Sequence, residues 1–109
     1  MANIFSNALE QITDDTVTTI VTGDTNASLI IQLDICNTHT AEISVDVTIT
    51  RSGTDYYFIK DVPIPVGSTL QCIAGQKILL LLDDVLKVTL GHTDYSCDVI
   101  CGLLTEVNA

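Results

Sequence analysis

Cationic side chains are scarce in this sequence. Its 109 residues hold four Lys and Arg against fourteen Asp and Glu, which leaves a formal net charge of −10. An acidic surface repels phosphate, and four cations cannot form a basic groove, so nucleic acid is excluded as a partner. The same charge disfavours binding to anionic membrane surfaces.

Long apolar runs are also missing. The longest, residues 78–82, has five residues, whereas a membrane-spanning helix needs about 20. The first five residues carry neither the basic nor the apolar segment of a signal peptide. We therefore expect a protein that is made in a cytoplasm and has no membrane partner.

Recognisable catalytic and metal-binding motifs are absent too. The sequence has no CxxC pair, no GxSxG elbow and no glycine-rich phosphate loop. His39 and His92 fall in Thr-rich turns and are interpreted as solvated turn residues. The pairs Asp14-Asp15 and Asp83-Asp84 could hold Ca²⁺ with turn carbonyls, or could serve turns and solubility. We predict that the protein is no enzyme, with no catalytic, cofactor-binding or metal-binding residues, no cofactor and no small-molecule substrate.

What the sequence does have is alternation with a period of two. Residues 41–50 place Ala, Ile and Val on one face and Glu, Ser, Asp and Thr on the other, and residues 28–36 repeat the pattern. Turn clusters recur about every 10 residues, and no amphipathic helix is visible. The pattern predicts an all-β fold: an antiparallel β-sandwich, Ig-like or jelly-roll-like, of eight or nine short strands.

The N-terminal segment and the two prolines set the expected chain organisation. We predict an N-terminal arm or edge strand in residues 1–15 and the sandwich domain in residues 16–109. Pro63 and Pro65 cannot donate a ladder hydrogen bond, so the segment around them should be extended and cross from one sheet to the other.

The four cysteines divide into two groups by the same alternation. Cys36 falls on the polar face of its strand, whereas Cys97 and Cys101 fall on an apolar face and Cys72 alternates with apolar neighbours. Cys97 and Cys101 are about 13 Å apart on a strand, too far to bridge each other. We therefore predict an inter-subunit disulfide through Cys36, with Cys97 or Cys101 near an open edge as second candidates. Cys72 is a core thiol or a further disulfide partner.

Apolar residues on a second face point to a contact between subunits. Leu80, Leu82, Ile100 and Leu104 would form a large exposed patch in a monomer, which is typical of a subunit interface. The edge strands are polar rather than protected by Lys, so they are also available for pairing.

Three segments carry a specific pattern: residues 60–70 (KDVPIPVGSTL), the turn Gly75-Gln76-Lys77 and residues 84–88 (DVLKV). With these segments, the chain over roughly residues 28 to 107 resembles a group of small virion structural proteins of tailed bacteriophages. The sequence departs from the group's pattern by having Leu82-Asp83 where a Gly-containing turn is expected, and by its four cysteines. Those cysteines are consistent with disulfides formed after release from the reducing host cytoplasm.

The resemblance implies a structural subunit of the virion that is assembled in the host cytoplasm. Members of the group are neck or collar, fibre-base or capsid-decorating components. The implied partners are copies of this chain, in a closed ring or trimer, and other virion proteins. The alternative is a receptor- or carbohydrate-binding module, for which Tyr56 and Tyr57 are the only candidates for an aromatic platform.

Overall fold

The structure is a computed structural model that describes residues 4–108. These residues form nine strands and no helix, which confirms the predicted all-β antiparallel sandwich. The strands are β1 (Ile4–Ile12), β2 (Thr18–Thr22), β3 (Ser28–Asn37), β4 (Ile43–Arg51), β5 (Thr54–Ile64), β6 (Thr69–Gln71), β7 (Ile78–Leu80), β8 (Val85–Leu90) and β9 (Cys97–Thr105).

The strands pair around the β4–β5 turn, so that strands before the turn pair with strands after it. β4 pairs with β5, β3 with β6 and β7, β2 with β8, and β1 with β9, and every pairing is antiparallel. The result is a five-stranded sheet and a four-stranded sheet. The first has the order β1-β9-β3-β6, and β7 pairs with the other end of the same edge of β3; the second has the order β2-β8-β4-β5. Two sheets wound from one nested hairpin have the topology of a jelly roll rather than that of an Ig domain.

The core lies between the two sheets and consists almost entirely of Ile, Leu and Val. Alternate residues of the long strands point inward, so that Leu33, Ile35, Val47, Leu86 and Val88 have no exposed surface. Each such side chain contributes about 1.5–3 kcal/mol when it is removed from water. The core therefore rests on the same period-two pattern that predicts the strands.

The chain passes from one sheet to the other at the prolines. Pro63 lies in β5, an edge strand of the four-stranded sheet, opposite Ser44. Pro65 follows the strand, and β6 then begins in the five-stranded sheet at Thr69. The buried Asn37 donates a 2.9 Å hydrogen bond to the Ile64 carbonyl, which joins the two sheets at this point.

A salt bridge between Arg51 and Asp84 lies at the end of the sandwich opposite to the prolines. Arg51 closes β4, and its guanidinium donates three hydrogen bonds to Asp84, whose side chain is only 3% exposed. The Leu81 N–H donates to the same carboxylate at 2.8 Å. Hydrogen bonding by Arg51 holds the pKa of Asp84 below its usual value, against the opposing effect of burial.

Candidate interaction surface

The outer face of the five-stranded sheet carries an apolar row that crosses four strands. Three strand pairings align the row. Phe5 of β1 pairs with Leu104 of β9, Leu104 pairs with Leu29 of β3, and Leu29 pairs with Leu79 of β7. Directly opposed residues of antiparallel strands project from the same face of the sheet. These four side chains, called the apolar row below, therefore stand side by side on the solvent side of the sheet. Phe5 is 76% exposed.

A second apolar pair stands on the same face. Leu9 and Ile100 are direct partners and are 67% and 42% exposed. With the apolar row they form the apolar part of this face. Exposed apolar side chains grouped in this way make the face a candidate interaction surface.

The equivalent row of the four-stranded sheet is polar. It consists of Thr19, Lys87, Thr48 and Tyr57, again one residue from each of four paired strands. Lys87 lies 3.9 Å from Asp55 in the next row. Both sheets are antiparallel and pack on the same core, so the difference between their outer faces lies in the side chains that they present. In the described residues, the compared row of the five-stranded sheet is thus the more apolar of the two.

A hollow lies directly beside the apolar row. Its floor is formed by Asn7, Gly102 and Gln32, which are paired across the next row of the sheet, and Phe5 and Ile31 form its sides. The Gln32 side chain lies over Gly102, where a Cβ would approach its Oε1 to 2.8 Å. The glycine thus leaves room for Gln32 to fold onto the sheet, where its amide donates a 2.8 Å hydrogen bond to Asp34.

Cys36 lies at the polar end of the same face. Its row contains Gln11, Asp98 and Thr69, and Gln11 donates a 3.3 Å hydrogen bond to Asp98. Cys36 is partly buried. The predicted outward orientation of this thiol is what the structure shows.

The other three cysteines lie inside the sandwich. Cys97 and Cys101 have no exposed surface and Cys72 is 7% exposed. Burial raises the pKa of Cys72 and Cys97 to about 12 and that of Cys101 to about 11. An inter-subunit disulfide through Cys97 or Cys101, the second candidates, would therefore require the sandwich to open and expose the sulfur. All four thiols are free within the subunit.

The interface residues predicted in the second half of the chain require a correction. Leu80 points into the core with no exposed surface, and its neighbour Leu79 points outward instead. Leu82 is exposed but lies in the loop after β7 rather than on a strand. Ile100 and Leu104 do lie on the outer face, as predicted.

Phe5 and Leu9 belong to this surface but were not expected there. The apolar residues of the segment 1–15 do not alternate, so the sequence leaves the role of this segment open, although Phe5, Asn7 and Leu9 share one parity. β1 is an edge strand in which only Ile12 is fully buried.

Tyr56 and Tyr57 are both exposed, at 58% and 55%. They lie on the edge strand β5, and the Lys60 ammonium sits 4.8 Å from the centre of the Tyr57 ring. Adjacent residues of a strand point to opposite faces, but both rings are exposed because Tyr56 lies at the open end of the sandwich beside Arg51.

The histidines and paired acids occupy loops. His39 and His92 each stack against Tyr95 with ring centroids 5.6 Å apart. Asp14 accepts a hydrogen bond from the backbone N–H of Thr16, as turn residues do. Within residues 4–108, no three His, Cys, Asp or Glu side chains come together as a metal site would require.

The part of the chain that the structure describes has no helix with the length and apolar character needed to cross a membrane.

Comparison with known proteins shows likeness of fold alone. No family model matches the chain, and no curated protein matches it. Among solved structures, the chain is similar to an Eiger TNF from S. frugiperda, with 13% identity over 96% of this chain and 93% of that one and a TM-score of 0.52. A Bacillus endospore appendage, described as one of a family of disulfide-linked pili, shares 10% identity over 95% of this chain and 88% of its own, with a TM-score of 0.44.

Proposed function

We propose that the protein is a structural subunit of a tailed-phage particle, of the collar or neck, fibre-base or capsid-decorating kind. It docks through the outer face of the five-stranded sheet. The observation that carries the proposal is the apolar row, from Phe5 to Leu79, on an otherwise acidic protein. An exposed sheet face of this composition is stabilised when another protein surface covers it.

The partners in this proposal are copies of the chain and other virion proteins, and the protein acts as a building block rather than as an enzyme. The resemblance of residues 28–107 to small virion proteins supplies the phage context. The contrast between the two outer faces supports a one-sided subunit that meets its partner on one sheet and solvent on the other.

Cys36 is the candidate for a covalent link that is accessible without opening the sandwich. It lies on the docking face but about 20 Å from the apolar row, because the two rows are six residues apart along β9. A disulfide there would reinforce a contact at the polar end of the face.

The composition of purified particles tests this function. Particles of the source phage are purified on a density gradient, and their proteins are separated on reducing and non-reducing gels and identified by mass spectrometry. We expect the chain in stoichiometric amounts, with any reducible band linked through Cys36. Intact, infectious particles that lack the chain would contradict the proposal.

A recognition module is the second candidate, and the exposure of both Tyr56 and Tyr57 favours it. Such a module would bind glycans weakly through these rings. Binding to a glycan array that is lost in the Tyr56→Ala and Tyr57→Ala variants, while Phe5→Ser retains it, would support this second function. No binding by the wild type would remove it.

A further inference from the structure

We infer that the partner on the apolar row is a second copy of this chain, packed face to face about a two-fold axis that runs across the strands. This inference rests on the proposed function and names the partner of the same surface. It depends on three features of the face: its charge, its shape and its area.

The first feature is the absence of charge. The apolar row and the neighbouring row of Asn7, Gly102 and Gln32 contain no ionisable side chain, although the chain has fourteen acids. On this sheet's outer face the acids are Asp34 and Asp98, both beyond those rows. Two copies can therefore meet over these rows without bringing carboxylates together, whereas a cationic partner would gain nothing from them.

The second feature is a ridge next to a hollow. The apolar row and the hollow row are two residues apart, or about 7 Å along the strands. A two-fold axis that runs across the strands between them places the ridge of each copy over the hollow of the other. This is the reciprocal arrangement that an isologous contact requires. The hollow over Gly102 and Gln32 provides the space that Phe5 and Leu104 of the second copy would occupy.

The third feature is area. An axis between the apolar row and the hollow row lies two residues from the end of β9, so the two copies overlap over about five residues, or about 16 Å, of four strands about 4.8 Å apart. The overlap is about 300 Å² in plan. It therefore corresponds to a small interface of the weak, transient class rather than to one of standard size.

The same geometry separates this contact from any Cys36 disulfide. Cys36 lies three rows from the apolar row, so the two Cys36 residues of the dimer would be about 35 Å apart. A disulfide allows Cα atoms to be at most about 7 Å apart. A Cys36 link must then join this dimer to another subunit. Ile31 instead lies in the bulge of β3 between the two rows, close to the axis.

A cysteine cross-linking experiment tests the arrangement. In a Cys36→Ser background, Ile31→Cys places a thiol near the axis and Thr69→Cys places one in the former Cys36 row of the same face. Each variant is treated with a short bismaleimide and analysed by gel and by sedimentation. We expect more than half of Ile31→Cys to form a covalent dimer and less than a tenth of Thr69→Cys to do so.

Three results would overturn the inference. Linkage of Thr69→Cys without linkage of Ile31→Cys would place the contact at the other end of the face. Equal linkage of both would indicate random collision. A wild-type chain that sediments as a monomer up to millimolar concentration would show that the partner is another protein. The proposed function would survive that last result if purified particles still contained the chain, and it would fail if they did not.

Discussion

Removal of the Phe5 ring is the substitution that most sharply separates assembly from folding. Phe5 is 76% exposed in the subunit, so Phe5→Ser should change the free energy of unfolding by no more than about 0.5 kcal/mol. Its role, on our account, begins only when a second copy covers the outer face of the five-stranded sheet.

The expected effect on dimerisation follows from that exposure. Full burial of a Phe side chain is worth about 1.5–3 kcal/mol. Three quarters of the ring remain to be buried on association, which corresponds to about 1–2 kcal/mol per subunit. A two-fold contact contains the residue twice, so Phe5→Ser should cost about 2–4 kcal/mol per dimer, a rise in Kd of about 30- to 700-fold.

The assay is sedimentation equilibrium over a concentration series, with Tyr57→Ser as the matched control. Tyr57 is also an exposed aromatic on an outer sheet face, but of the four-stranded sheet. Its loss should leave the Kd within about twofold. Equal weakening of the dimer by both folded variants, or a change in Kd of less than threefold for Phe5→Ser, would contradict a contact through the apolar row.

Three further predictions concern the subunit itself. Asp84→Asn should lower the free energy of unfolding by about 1–2 kcal/mol at pH 7, because Arg51 loses its buried anionic acceptor. Since the folded pKa of Asp84 is depressed, that contribution exists above the unfolded pKa of about 3.9 and is lost as pH falls through the folded value. Denaturant titrations between pH 2 and about 7 should therefore show a flatter acid limb in the variant, and an unchanged limb would contradict the assignment. Ellman's reagent at pH 8 should modify only Cys36 in the native protein and all four thiols after denaturation. Rapid reaction of a second thiol in the native protein would contradict the burial of Cys72, Cys97 and Cys101. Gly23→Ala should lower the free energy of unfolding by about 1–3 kcal/mol or more, because the new Cβ would overlap the Leu81 carbonyl oxygen. A variant with the wild-type midpoint of thermal unfolding would contradict this expectation.

The sequence predicts the fold well because one physical signal dominates it. Alternation over residues 33–37, 43–47 and 97–101 sets which side chains are buried, and it places Cys36 outward and Cys97 and Cys101 inward. Alternation fails in residues 78–82, where every residue is apolar. Either parity is then compatible with the sequence, and the outward residue is Leu79 rather than Leu80.

The apolar row could not be predicted from the chain alone. Its residues lie at positions 5, 29, 79 and 104 and become neighbours only through the register of three strand pairings. Register depends on the packing of the whole sandwich and on the bulge in β3, neither of which a local pattern contains. The hollow at Gly102 depends on the same register, because Gln32 and Asn7 flank the glycine only in the folded sheet.

Hydroxyl-radical footprinting of the chain, free in solution and within purified particles, tests the docking face most directly. We expect Phe5, Leu9 and Leu79 to be oxidised in the free subunit at the lowest concentrations and protected at least fivefold in the particle, while Tyr57 stays reactive in both. Protection of Tyr57 with continued oxidation of Phe5 and Leu9 in the particle would instead place the assembly contact on the four-stranded sheet.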